Sequence, residues 1–586
     1  MDRTAQLIAR VTDHEIAYDP PPGAPSAPST ASATSAASAV SGASTASAVS
    51  AASTASAPSE NPAPAAPPAE SLRVAAARVL AAGWTGASTV PSRNLYPHQW
   101  SWDSAFIAIG LRHLSPLRAQ TELETLLAAQ WADGRVPHIV FNPSVPLDAY
   151  FPSPDFWRSS SAGRAAGAPR TVQTSGIVQP PVHALAAWLV HRADPGLSRA
   201  RGFLARLYPG LAAWHRYLLH RRDLGGGGLV SVVHPWEQGM DNSPCWDAPL
   251  ARVTPAPARS FRRADLGHSA PEDRPTDLDY GRYVRLAADY RDAGYADGGG
   301  EFAVEDPAFN ALLIASEQAL ARIATELGAP GTARHARAER LTAALVERLW
   351  DPESGMFLCR DLRAGDGNGG GGEQNGGGSG RENGGGSRGG TGGGSRGGTG
   401  GRGGSGGGGG RGGGGGRGGG GGREARPPGG VLIPERGVSG LVPLLLPGLP
   451  REVAAALVRT LRGPRFGLGG RTGLVPSYDL LGEAFDPHRY WRGPAWFNTS
   501  WLIERGLRAH GEEAAADALR EAFLRTAGDS GFAEYVDPYT GEACGALGFG
   551  WTAALTLDLL HGRPEHSVSS TDTSAFDRSD KGGDRG

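Results

Sequence analysis

The chain has 586 residues, with 57 basic and 59 acidic side chains, and a formal charge of −2 excludes the broad basic field of a polyanion binder. Cys245, Cys359 and Cys544 are too few and too scattered for a disulfide framework or a four-ligand zinc site, and no 18-residue apolar run occurs. The N-terminal twenty residues lack the apolar core of a secretion signal, so the expectation is a cytoplasmic protein with no nucleic-acid partner, no membrane partner, no metal and no other cofactor.

Residues 1–70 come first, and from about Pro20 to Glu70 they are almost entirely Ala, Ser, Pro and Thr. Such a segment buries too little apolar surface to offset its backbone entropy and is expected to be disordered. Apolar residues then recur at spacings of three and four, which predicts helices over 71–83, 102–114, 116–132, 178–193 and 199–221. Further along, the same spacing predicts an extra helix over 278–294, then 307–328 and 332–350. DPESGMF, from 351 to 357, predicts a small hairpin.

Between Gly365 and Gly430, 41 of 66 positions are Gly, interspersed with Arg but with no Phe, Tyr or Trp on which a base could stack. An inert flexible insertion is the expectation. Helices are predicted again over 436–447, 450–462, 495–509, 512–526 and 550–561, and residues 564–586 read as a disordered tail. Removing the low-complexity stretches leaves 427 residues, which read as a single domain over 71–563 interrupted by the insertion.

The helices alternate in character. Those near 102, 178, 307, 436, 495 and 550 follow loops dense in Trp, His, Asp, Pro and Gly. Those near 116, 199, 332, 450 and 512 follow short turns and carry Arg and Glu on one side. This pattern predicts an all-α (α/α)6 toroid, six helical hairpins with six loops around one mouth; an irregular helical bundle is the competing reading.

Five clusters carry the candidate chemistry: NLYPHQWSWDSAF (94–106), TSGIVQPPVHAL (174–185), HPWEQGMDNSPCWD (234–247), PHRYWRGPAWFNTSW (487–501) and GFAEYVDPYTGEACGALGFGWTAA (531–554). They contain eight of the 14 Trp, and Trp131 and Trp157 lie between the first two. Aromatic faces beside carboxylates, Gln and Arg suit a sugar ring, whose axial hydrogens stack while its hydroxyls need acceptors and donors. Glycosidic cleavage requires two carboxyl groups, and the clusters offer Asp103, Glu237, Asp241, Asp247, Glu534, Asp537 and Glu542. Asp241, in a loop between Trp236 and Trp246, has the apolar walls that favour a protonated acid, and Glu534, between Phe532 and Tyr535, is a candidate base.

Taken together and in the same order, these motifs resemble those of glycoside hydrolase family 63, in its bacterial mannosylglycerate and glucosylglycerate hydrolase branch. The likeness covers about residues 71–561 apart from the Gly-rich tract. It implies the (α/α)6 barrel and hydrolysis with inversion, with Asp241 as general acid and Glu534 as general base. It also implies sugar contacts from Trp100, Trp102, Asp103, Gln179, Trp236, Tyr490, Trp491 and Trp496, and Tyr96 of the first motif joins them as a candidate.

A glycerate leaving group would need a cation. Arg274 with Tyr280 and Arg282 nearby, and Arg489 or Arg492 in HRYWRG, are the candidates, and the long polar segment 248–285 could close over a small substrate. Two other functions compete: an α-glucosidase or trehalase-like hydrolase of neutral disaccharides or oligosaccharides on the same fold, and a non-catalytic carbohydrate-binding protein.

Overall fold

In a computed structural model, which describes residues 69–267, 270–364 and 429–561, the helix starts follow local chemistry. Ser115 and Asp306 accept hydrogen bonds from the main-chain N–H groups of Arg118 and Phe309, and in each case Pro occupies the first helical position, where no N–H is needed. Asp194 caps Pro195–Arg201 in the same way.

Six positions form an inner ring, the fourth filled by two 3-10 turns: the helices Ser101–Leu111, His183–Ala193 and Pro307–Glu326, the 3-10 turns Val438–Gly440 and Val442–Leu445, and the helices Phe497–Ala509 and Gly550–His561. Each packs against the next, and Gly550–His561 returns to pack against Ser101–Leu111. Outside them stand Pro116–Leu127, Phe203–Arg221, Thr332–Leu349, Arg451–Arg462, Glu513–Asp529 and, beside the last inner helix, Ala69–Gly83. The fold is therefore an (α/α)6 toroid. Every residue of Ser101–Leu111 is buried, whereas Arg451–Arg462 buries only the stripe Val453, Ala454, Leu457, Val458 and Leu461, as expected of inner and outer layers.

Two-residue antiparallel strands lead into the inner helices. Gln99–Trp100 pairs with Ile139–Val140, Val304–Glu305 lies between Ser231–Val232 and Arg360–Asp361, and Ala495–Trp496 pairs with Tyr535–Val536. Around the predicted hairpin, Trp350–Asp351 pairs with Met356–Phe357.

Three helix predictions need correction. The segment 436–447 is two 3-10 turns rather than an α-helix, because Pro443 lies within it without an N–H to donate and Pro447 follows. The helix expected from 178 begins at His183, beyond Pro180 and Pro181. The one expected over 199–221 breaks at Gly202, whose φ of 62° lies in the left-handed region. The extra helix spans Asp277–Asp292 and is capped by Thr276, which accepts from Asp279 N.

Among the described residues no helix is long and apolar enough to cross a membrane. The readings of residues 1–68, 365–428 and 562–586 as disordered fall outside the described residues.

Candidate active site

The two candidate catalytic carboxyls line one pocket at the mouth of the toroid, together with Tyr96, Trp100, Trp102, Asp103, Gln179, Trp236, Arg274, Tyr280 and Tyr490. Glu534 directly precedes the strand Tyr535–Val536. Its main-chain N–H donates to Ala546 O at 2.8 Å, and Ala546 N donates back to Glu534 Oε2 at 3.1 Å. Tyr96 and Tyr490 both donate their hydroxyls to Glu534 Oε1, at 3.0 and 3.3 Å. Burial raises the Glu534 pKa, and the Arg274 cation, the Ala546 amide and the two phenols oppose that rise by favouring the ionised form. Gly545 has a φ of 69°, and a Cβ there would come within 2.6 Å of Glu534 Oε2, so the close approach of this turn requires glycine.

Asp241 follows the short helix Pro235–Gln238, which His234 opens by accepting the Trp236 N–H. Gly239, at φ 82°, brings the loop against Trp102, whose ring a Cβ would meet at 2.6 Å. Gln238 Oε1 accepts from Met240 N at 2.9 Å, and Tyr283 donates its hydroxyl to the Asp241 carbonyl at 2.7 Å. The Asp241 carboxyl accepts no side-chain hydrogen bond from the described residues. Burial pushes its pKa up to about 7, and the carboxylates of Glu534 and Asp265 add to the rise while Arg274 opposes it. Such a group carries a proton at near-neutral pH and can give it up.

Asp103 is buried in the first turn of Ser101–Leu111, and its pKa is raised by desolvation. Gln179 Oε1 accepts the Trp102 N–H at 3.1 Å, tying the second motif to the first. Trp102 and Trp551 meet edge to face, as do Trp236 and Tyr280. The segment 248–285 adds Asp265, Arg274, Pro275 and Tyr280 to the wall, and Tyr490 N donates to Asp273 O at 2.8 Å. Arg274 Nη1 donates to the Tyr96 hydroxyl at 3.4 Å, with the guanidinium 4.6 Å above the Tyr490 ring. One cation thus touches both phenols that hold Glu534. Tyr280 donates to Phe151 O at 3.1 Å and carries the Arg263 guanidinium 4.3 Å from its ring centre.

Five candidate binding residues do not line this pocket. Trp491 and Trp496 are buried in the core and stacked on each other with ring centres 3.8 Å apart, because the loop that carries them turns inward. Arg492 is held outside the pocket by Asp247, with 2.9 Å between Nη1 and Oδ2. Arg282 pairs with Asp279, and Arg489 lines a separate depression beside Arg263. Of the remaining carboxylates, Glu237 is fully buried in a two-bond pair with Arg222 at 2.7 and 2.8 Å, and Asp537 caps the turn at Tyr539 and Thr540.

The pocket also contains His138, Tyr150, Phe151, Asp265, Tyr283, Phe549 and Trp551, which sequence reasoning did not place there. Tyr150 lies in FNPSVPLDAYF, an aperiodic Pro-containing loop between two helices, and a tyrosine so placed is the available signal.

A family profile described as "Mannosylglycerate hydrolase MGH1-like glycoside hydrolase domain" matches residues 96–552. A mannosylglycerate hydrolase of Rubrobacter radiotolerans is 38% identical over 498 residues, covering 84% of this chain and 97% of its own. A glucosylglycerate hydrolase of Mycolicibacterium hassiacum is 36% identical over 509 residues, covering 83% and 97%. The crystal structure of the family 63 mannosylglycerate hydrolase from Thermus thermophilus in complex with Tris and D-glycerate superposes with a TM-score of 0.66 at 34% identity, covering 83% of this chain and 99% of that one. With the toroid, the two pocket carboxyls and these likenesses in agreement, the chain belongs to the MGH1-like glycoside hydrolases of family 63.

Proposed function

We propose that the protein hydrolyses glucosylglycerate or mannosylglycerate, releasing free sugar and glycerate with inversion at the anomeric carbon, and that it does so in the cytoplasm. The observation that carries this reading is the arrangement of Arg274, Asp241 and Glu534 in one pocket, with the cation bonded to a phenol that also holds the base. Asp241 enters the reaction protonated and gives its proton to the glycosidic oxygen as the bond to the anomeric carbon breaks. Glu534 enters ionised and removes a proton from the water that attacks the opposite face of that carbon.

Asp103 and Gln179 accept and donate to hydroxyls of the sugar, while Trp100, Trp102 and Trp236 supply its apolar walls. Arg274 and Tyr280 hold the glycerate carboxylate; the two nitrogens of a guanidinium match the two oxygens of a carboxylate in a way no neutral aglycone can. The catalytic domain is 71–563, and the Gly-rich tract 365–430 takes no part in the chemistry.

The test is incubation of the purified protein with glucosylglycerate, mannosylglycerate, trehalose and maltose, with released sugar followed by NMR. Rapid release of β-sugar from an α-linked glycerate substrate is the expected result. Release of α-sugar first would contradict inversion, and faster turnover of trehalose or maltose would contradict the glycerate assignment.

A further inference from the structure

Away from the catalytic pocket, the outer helix Glu513–Asp529, the loop 468–474 and the turn 536–541 enclose a depression of about 820 Å³. Three guanidinium groups line it from three different elements: Arg462 at the end of Arg451–Arg462, Arg471 in the loop, and Arg525 on Glu513–Asp529. Arg462 is paired with Glu512 at 3.0 Å, but Arg471 and Arg525 make no ion pair among the described residues.

Asp537 also lines the depression, but its carboxylate is already engaged. Oδ1 accepts the main-chain N–H groups of Tyr539 and Thr540 at 2.7 and 2.8 Å, and Oδ2 lies 3.2 Å from His488 Nε2. The depression therefore presents net positive charge. Tyr539 supplies an aromatic face that is 41% exposed, steadied edge-on by Phe485 with ring centres 6.0 Å apart. The Arg471 guanidinium lies 5.5 Å from the Tyr539 ring centre. Leu474, Leu519 and Ala522 give the floor an apolar character.

We propose that this depression is a second ligand site, taking a small phosphorylated sugar: the ring lies on Tyr539 and the apolar floor, and the phosphate is held by Arg471 and Arg525 with Arg462 at the rim. Two guanidinium groups without an ion pair among the described residues, Arg471 and Arg525, match the double charge of a phosphate better than the single charge of a carboxylate. The site is joined to the reaction through one hairpin. The turn 536–541 connects Tyr535–Val536 to Ala543–Cys544, in register Tyr535 to Cys544, and Glu534 stands directly before the first strand. A ligand that fixes this turn therefore acts on the segment that carries the base, which makes the site regulatory.

The proposal is tested by titration calorimetry of the full-length protein with glucose 6-phosphate, inorganic phosphate, glucose and D-glycerate, repeated on R471Q/R525Q and on R471K/R525K. Glucose 6-phosphate should bind saturably and lose about tenfold or more in affinity in R471Q/R525Q, part of it recovered in R471K/R525K. Glucose and D-glycerate affinities should be the same in all three proteins. Hydrolysis without added phosphate should be unchanged in the variants, and equal melting temperatures establish that they fold. Saturating glucose 6-phosphate should change kcat of the unaltered protein and not that of R471Q/R525Q; an unchanged kcat overturns the regulatory role. Absence of saturable binding, an affinity for glucose 6-phosphate that the Arg→Gln changes do not alter, or an equal loss for D-glycerate would each overturn the site itself. If inorganic phosphate binds as tightly as the sugar phosphate, the ring has no seat on Tyr539 and the assignment to a sugar fails.

Discussion

Asp241 and Glu534 are carboxyls in one pocket, both raised by desolvation, yet their surroundings differ in the way their proposed roles require. The Arg274 cation opposes the rise in both, but Glu534 also receives three hydrogen bonds, from two phenols and an amide, whereas Asp241 receives no side-chain hydrogen bond from the described residues and is near the carboxylate of Asp265. Donors aimed at a carboxylate stabilise its ionised form, and their absence leaves burial less opposed. On the proposed roles, partner sets rather than depth divide acid from base in this site.

Replacing either carboxyl breaks the comparison outright. D241N and E534Q should each lower kcat on a glycerate glycoside by about 10²–10⁴-fold with unchanged melting temperature, measured by released sugar. An aryl α-glycoside with an acidic phenol as leaving group sharpens it: D241N should recover activity there, since such a leaving group needs no proton, and E534Q should not. G545A should cost about 10²-fold in kcat, because its Cβ would displace the Glu534 carboxylate.

The pH profile tests the same asymmetry more gently. On the proposed roles Asp241 must be protonated, so kcat/KM should fall about tenfold per pH unit above its pKa of about 7. Glu534 must be ionised, so the acid limb reports its pKa. Removing a phenol that favours the ionised form, in Y96F or Y490F, should raise that pKa and move the acid limb to higher pH while leaving the alkaline limb in place. The smallest expected effect is that of deleting residues 365–430, which should leave kcat and KM unchanged.

Much of this is legible in the chain. Apolar spacing marks the helices, and the alternation of Trp-rich loops with short charged turns marks the two layers, because inner helices begin at the mouth and outer ones do not. The segment 436–447 reads as an α-helix because its apolar residues keep helical spacing, while Pro443 removes a donor that only the ring, by packing on both sides, makes tolerable. Trp491 and Trp496 mislead for a different reason. Flanking Gly, Pro and Arg mark a loop, but whether a loop turns toward a cavity or into the core depends on contacts with Tyr535 and Trp551, about forty or more residues away in sequence. Truncating that stack should show its structural role, with W496A destabilising by about 3–5 kcal/mol in a denaturant titration. Tyr150 and Asp265 reach the pocket only through tertiary packing of aperiodic segments, for which spacing holds no signal.

The helix Gly550–His561 closes the ring between Ala69–Gly83 and Ser101–Leu111, and it approaches so nearly that a Cβ on Gly110 would fall 2.2 Å from Ala554 O. Elements separated by most of the chain must therefore meet before the barrel is complete. During synthesis the ribosome releases this helix after every other described element, so the nascent chain holds an open, apolar-lined arc until it emerges. Ring closure thus waits on the last-synthesised of the described helices.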